Sequence, residues 1–222
     1  MNIVFDLDGT LIDSAPDIQS AASTVLKRLG KDGLTLAETR TFIGEGSVVF
    51  VRRMMDVRGI NDTQYNHASV HQDFVAECEV SVDKAVFFPG VIATLTALKV
   101  AGHSLGLCTN KPEAPTRAVI RHMRMESFFD VVMTAGMIDS RKPDPAMLLK
   151  VIENLGGGHA LYVGDSEVDA ETAVRAKLPL ALFSAGYRKA PISDIPHDWV
   201  FNDFASLPSI VTKAMLLGKT RG

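Results

Sequence analysis

The chain of 222 residues is 46% hydrophobic and 22% charged, with 23 lysines and arginines against 26 aspartates and glutamates, a net charge of −3. That mixture excludes a disordered polar tail and offers no basic footprint for nucleic acid. No apolar run nears the ~20 residues that span a bilayer, Asp6 stands where a signal peptide would be basic or apolar, and two cysteines cannot build a disulfide framework, so no membrane and a cytoplasmic location are expected.

Taken in chain order, residues 3–5 form a short apolar run stopped by Asp6-Leu7-Asp8-Gly9-Thr10, the pattern of a buried strand entering a turn. Residues 14–82 then break into helical periods. Ile18, Ala21, Ala22, Val25, Leu26 and Leu29 recur at helical spacing before Gly30. Further helices are predicted over 36–42, 48–58 and from about Thr63 to Val80. Four helices with no strand between the first strand and the next exceed what one crossover needs, so 14–82 reads as an inserted helical module, leaving 1–13 and 83–222 as the core. Beyond it, strand runs at 104–108, 131–133, 160–163, 180–183 and 199–201 alternate with helix-period segments at 91–100, 115–125, 145–155, 168–177 and 204–217. That alternation predicts an α/β fold, a mostly parallel sheet with helices on both faces.

Open parallel sheets bind ligands beyond the carboxyl ends of their strands. Those ends carry Asp6 and Asp8, Thr109 and Asn110, Gly164 and Asp165, with Lys142 in the loop after 131–133 and Asp169 one helical turn past Asp165. Each has a plain alternative: Asp-Gly makes turns, and an acid favours a helix N-terminus. Gly9 follows Asp6 too closely for an EF-hand, and no Walker-type glycine loop is present. Asp6, Asp8, Asp165 and Asp169 gathered together would repel one another unless a cation compensated, and an all-oxygen set suits Mg²⁺. Thr109 and Lys142 add a hydroxyl and a positive charge for an anion, and a phosphoryl group fits both halves.

With these residues in view, the whole chain resembles the haloacid dehalogenase superfamily, and within it the phosphoglycolate phosphatase-like group. The resemblance rests on Asp6-Leu-Asp-Gly-Thr-Leu-Ile-Asp-Ser14, Cys-Thr109-Asn110-Lys-Pro, Arg-Lys142-Pro-Asp-Pro and Gly-Asp165-Ser-Glu-Val-Asp169, four motifs in the family's order. It implies a Rossmann-like core with the helical insertion as a mobile cap. It implies Asp6 as the nucleophile that forms an aspartyl-phosphate, and Asp8 as the acid that protonates the leaving alkoxide and then takes a proton from water. The side chains of Asp6 and Asp165 and the backbone carbonyl of Asp8 would hold Mg²⁺, Asp169 would act through a metal-bound water or orient those ligands from behind, and Thr109, Asn110 and Lys142 would hold phosphoryl oxygens. The expected partner is a small phosphate ester, with 2-phosphoglycolate the best guess; a sugar phosphomutase or sugar phosphatase on the same core is the alternative. Dehalogenases and phosphonoacetaldehyde hydrolases lack an acid at the position of Asp8. A phospho-aspartate signalling module, which would share the acids, Thr and Lys, has no use for Asp8 or a large cap.

Specificity is expected from the segment 43–53, where Gly44 and Gly46 open onto a helix N-terminus and Arg52 or Arg53 could clamp a substrate carboxylate. The plain alternative is a linker in which Arg52 pairs with Asp56 one turn on. His67 and His71 read as packing rather than a metal pair, Cys108 as a small core residue, Met54 and Met55 as packing between the inserted helices, Trp199 as a core or edge filler, and Lys111 as a solvated loop charge within reach of a phosphate.

Overall fold

A computed structural model describes the backbone of residues 1–61 and 64–219, and their side chains apart from 64–66 and 217–219. Thr63, the expected start of the fourth helix, lies outside the described residues. Strands β1 (Asn2–Phe5), β4 (Ser104–Pro112), β5 (Val131–Ala135), β6 (Ala160–Gly164), β7 (Leu180–Phe183) and β8 (Trp199–Phe201) form a parallel sheet in the order β5-β4-β1-β6-β7-β8. Chain order reverses at β1: the chain builds outward through β4 and β5, then returns to the other side of β1 with β6. A crevice therefore opens beyond the carboxyl end of β1, the ligand position of such sheets.

Alternation along the strands separates two cores. Ile3, Phe5, Leu105, Leu107, Leu161, Val163 and Phe183 face α5 (Val91–Val100), α6 (Glu113–His122) and α9 (Leu207–Lys219). Val4, Cys108, Tyr162 and Leu182 face α7 (Ala146–Asn154) and α8 (Glu167–Ala176). With both faces covered, the strands are almost wholly apolar. Trp199 packs at the margin of the first core.

Helices α1 (Ala15–Arg28), α2 (Leu36–Phe42), α3 (Ser47–Val57) and α4 (Gln64–Val80) bury a third core, in which Met54 and Met55 are fully covered and Phe50 stacks on Phe74 at 4.8 Å. The expectation of no strand between the first strand and the next is corrected here. Ile12–Asp13 (β2) pairs antiparallel with Val86–Phe87 (β3), a two-residue ribbon at the neck where the chain leaves and re-enters the core. Two paired residues are too few for a hydrophobic pattern to announce. Asp17 reinforces the neck, its two carboxylate oxygens accepting the Lys84 and Ala85 N–H groups at 2.9 Å each. His67 and His71 tie α4 to α3, through the Val48 carbonyl at 3.1 Å and the Ser47 hydroxyl at 2.8 Å. No described helix is long and apolar enough to cross a membrane.

Candidate active site

β1 ends at Phe5, and its ladder is continued by the Asp6 N–H, which donates to the Val163 carbonyl at 2.9 Å. Asp6 thus leaves the sheet at the crevice, only 8% exposed. Gly9 turns the following loop at φ +89°, where a Cβ would stand 2.5 Å from an Asp165 oxygen. The chain can pass this close to the acids only because the residue is glycine.

β4 outruns its expected end by four residues. Its pairing with β5 shifts register between Thr109 and Pro112, a bulge that leaves Asn110 and Lys111 outside the regular ladder at the mouth of the crevice. Bulges re-aim side chains in this way. Thr109 is buried against the crevice, but the carboxamide of Asn110 is already spent. It donates to the Lys142 carbonyl at 2.9 Å and the Gly44 carbonyl at 3.2 Å, and accepts from the Lys142 N–H at 2.9 Å. With both N–H groups taken, it braces the Lys142 loop and the inserted helices rather than presenting a donor to a phosphate.

Lys142, 3% exposed, follows β5 as expected, and the Lys142–Pro143 peptide is cis. Its ammonium meets Asp6 at 2.9 Å, Asp169 at 2.8 Å and the Tyr162 hydroxyl at 2.9 Å. Burial opposes its charge, but Asp169 and Asp6 overcome that and drive its pKa well above the ordinary lysine value. Asp169 is fully buried and serves two structures at once. Its Oδ2 accepts from the Ser166 hydroxyl at 2.7 Å in a capping box that opens α8, and its Oδ1 accepts from Tyr162 at 2.7 Å and faces Lys142. Burial raises its pKa, but Lys142 and these hydrogen bonds outweigh that and hold it low.

Asp165 is held at both oxygens, by the Thr10 hydroxyl at 2.7 Å and the Tyr187 N–H at 2.6 Å. One carboxylate oxygen from each of Asp6, Asp165 and Asp169 falls within 4.8 Å of the others. Desolvation, with Asp169 nearby, pushes Asp165 well above the carboxylate range, and desolvation likewise raises Asp6 to about 7. Two buried acids that resist ionising beside a third that is ionised form a set short of positive charge. An all-oxygen donor set of this kind fits a hard divalent cation such as Mg²⁺. The Asp8 carboxylate stands outside that cluster. It accepts the Ser14 hydroxyl at 2.5 Å and faces Lys111 at 3.2 Å. Ser14 precedes α1 as its N-cap yet makes no side-chain cap bond, because its hydroxyl is turned to Asp8.

A cavity of about 580 Å³, continuous with solvent, lies between this sheet edge and the inserted helices. Asp6, Asp8, Thr109, Lys111 and Lys142 line it from below, and Gly44, Gly46, Ser47, Phe50 and Phe74 from above. The two arginines are not in its wall. On α3, which presents Ser47 and Phe50 to the cavity, Arg52 falls about 140° round from Ser47 and is exposed. Arg53 reaches back to Glu45 at 2.6 Å. A direct grip by either arginine on a ligand in this cavity is therefore not what the structure displays. Two residues that sequence reasoning passed over complete the site, Tyr162 and Tyr187, and Lys111, expected as a solvated loop charge within reach of a phosphate, is buried in its wall. The signal for Tyr162 was available, since a tyrosine within an otherwise apolar strand needs a hydrogen-bond partner indoors.

Comparison with known proteins identifies the family. The family model described as haloacid dehalogenase-like hydrolase matches residues 3–183. The chain belongs to that family. It is 39% identical over 209 residues to the phosphoglycolate phosphatase of Rhodobacter capsulatus, covering 94% of this chain and 95% of that one. It is 40% identical over 210 residues to the phosphoglycolate phosphatase of Cereibacter sphaeroides (strain ATCC 17025 / ATH 2.4.3), covering 94% and 96%. A crystal structure of a predicted phosphoglycolate phosphatase from Haemophilus somnus 129PT superposes with a TM-score of 0.88 at 28% identity, covering 94% and 96%. The fold expected from the sequence, an α/β Rossmann-like core with a helical cap, is that of these haloacid dehalogenase-like hydrolases.

Proposed function

We propose that this hydrolase is a cytoplasmic, Mg²⁺-dependent phosphatase that converts 2-phosphoglycolate to glycolate and phosphate through an aspartyl-phosphate. The observation that carries the reading is the contact of Asp6 with Lys142 at 2.9 Å, in the wall of a cavity that also exposes Asp8. The names of the relatives support the substrate.

In this reading a carboxylate oxygen of Asp6 forms a bond to phosphorus as the ester P–O bond breaks. The proton of Asp8 goes to the departing alkoxide. Asp8 then draws a proton from water, whose oxygen takes the phosphorus and frees Asp6. Dividing one displacement into two lowers each barrier, and most of the acceleration comes from positioning and charge neutralisation. Lys142 supplies a fixed positive charge, held in place by Asp169 and Tyr162, and Thr109 a hydroxyl. Asp6 and Asp165, with the Asp8 carbonyl, would hold Mg²⁺, which when bound neutralises charge on the transferring group. Residues 14–82 act as the cap over a core of 1–13 and 83–222, shielding the site from water. Assay of phosphorylated acids and sugars with Mg²⁺ tests the reading. The expected result is multiple turnover with 2-phosphoglycolate giving the highest kcat/KM, and inorganic phosphate as product. Transfer of phosphate between positions of one sugar would instead make the chain a mutase.

A further inference from the structure

Two lysines stand in the wall of the cavity, and they are not equivalent. The three N–H donors of Lys142 are matched by three oxygens, on Asp6, Asp169 and Tyr162. Lys111 reaches only Asp8, straddling its two oxygens at 3.2 and 3.3 Å, and meets no other hydrogen-bond acceptor among the described residues. Its side chain is 10% exposed, so this is not a solvated loop charge. The bulge after Thr109 brings it inward. It retains donor capacity toward the cavity, whose wall on the side of the inserted helices and the bulge includes the apolar Ile18, Phe74, Cys78 and Pro112. An anion entering beside those apolar residues and the acids has to be met by a cation, and Arg52 and Arg53 are not in the wall.

The chemistry of the ester fixes where that anion goes. In 2-phosphoglycolate one methylene carbon joins the bridging oxygen to the carboxylate. The group that protonates the bridging oxygen therefore has the carboxylate as its immediate neighbour, and Lys111 is the cation touching that group. We propose that Lys111 determines specificity, its ammonium holding the carboxylate beside the scissile ester while Asp8 serves the bridging oxygen. The assignment rests on the phosphoglycolate reading above. It extends to other 2-phosphorylated acids, whose carboxylate stands at the same remove.

The test is a ratio: kcat/KM for 2-phosphoglycolate over kcat/KM for ethyl phosphate, which has the same chain length without the carboxylate, at saturating Mg²⁺. Wild type is expected to favour the acid strongly. Lys111→Met should lower the ratio about 100-fold, mainly through KM for the acid, the scale of losing one partner of a desolvated charge pair. Lys111→Gln keeps a donor for Asp8 and should show the same collapse, whereas Lys111→Arg should stay within about tenfold of wild type. A high wild-type ratio that survives in the Met and Gln variants overturns the assignment and leaves the substrate reading standing. So does an equal fall on both substrates, which would confine Lys111 to positioning Asp8. A wild-type ratio near one instead defeats the substrate reading itself.

Discussion

Asp6→Asn separates the chemical role of this residue from its structural cost. Burial raises the Asp6 carboxyl from 3.8 to about 7, against the pull of Lys142. The unfolded chain releases this proton near the ordinary value, so between the two the native state binds more protons, and stability falls as pH rises. From 3.8 to about 7 is roughly three pH units, and at ~1.36 kcal/mol for each the loss reaches at most about 4 kcal/mol above pH 7. Asn cannot ionise and still offers Lys142 an oxygen, so the variant escapes the loss. In metal-free buffer at pH 8 it should melt above wild type, by up to roughly 8–16 °C, and at pH 4 the two should nearly coincide. Adding Mg²⁺ should raise the wild-type midpoint and leave the variant almost unmoved, while turnover in the variant vanishes. Circular-dichroism melts in EDTA and in Mg²⁺ at both pH values provide the check. Equal melting at pH 8 without metal would refute the electrostatic reasoning, and steady Mg²⁺-dependent turnover, with reversion to Asp excluded by mass, would refute the nucleophile.

The raised carboxyls of Asp6 and Asp165 make Mg²⁺ affinity depend on pH, since binding has to displace their protons: below about 7 each pH unit should cost about tenfold or more in apparent affinity. Calorimetric titration that is flat from pH 5.5 to 8 would remove Asp6 from the ligand set. A Cβ at Gly186 would collide with Asp165 and the Gly9 carbonyl, so Gly186→Ala should weaken Mg²⁺ binding about 10–100-fold in a protein whose far-ultraviolet spectrum is unchanged. Undiminished binding would mean that Asp165 is not held where the ligand needs it. Burial pushes both Cys78 and Cys108 up to about 12, so at pH 8 only about one thiol in ten thousand is ionised. Native protein should resist iodoacetamide while the unfolded chain labels fully, and stoichiometric labelling of the native form would contradict the packing around both.

What could be read from the sequence followed the range of the forces involved. Strands buried on both faces announce themselves as apolar runs, and each expected core strand is present within a few residues. β4 runs on to Pro112 because its last residues pair with β5 across a bulge, a partnership that no local pattern encodes. α6 starts at Glu113 and stops at His122, earlier than expected, and Arg124 then takes φ 54°, which breaks the helix with no glycine to advertise it. Lys111 was misjudged for the same reason: its burial depends on Asp8, 103 residues away in sequence. The arginines were a different matter. Once Ser47 and Phe50 are known to face the cavity, turning α3 by 100° per residue sets Arg52 on the far side, whereas Arg53 lies only about 60° from Phe50 and is drawn off by Glu45.

The charges of the site can now be assigned rather than counted. Asp6, Asp8, Asp165 and Asp169 looked like four acids that only a metal could reconcile, yet two lysines already share the task. Lys142 sits on Asp169, whose acidity is strengthened, and Lys111 sits on Asp8. Were all four ionised, two ammonium groups would leave two negative charges, the complement of one divalent cation. The two acids whose ionisation burial suppresses, Asp6 and Asp165, are the pair left short of compensation. The direction of each shift therefore separates Asp169, which the protein matches, from Asp6 and Asp165, the two acids the proposed reading assigns to a metal. That division explains why Asp169, although near enough to be a ligand, has both oxygens committed to Lys142, Tyr162 and the start of α8. It also makes Lys142→Met a change that strikes two buried acids at once, since the ammonium touches both Asp6 and Asp169. Without that ammonium, Asp6 and Asp169 would face each other uncompensated, and on the same count a bound divalent cation would still leave one negative charge unmatched.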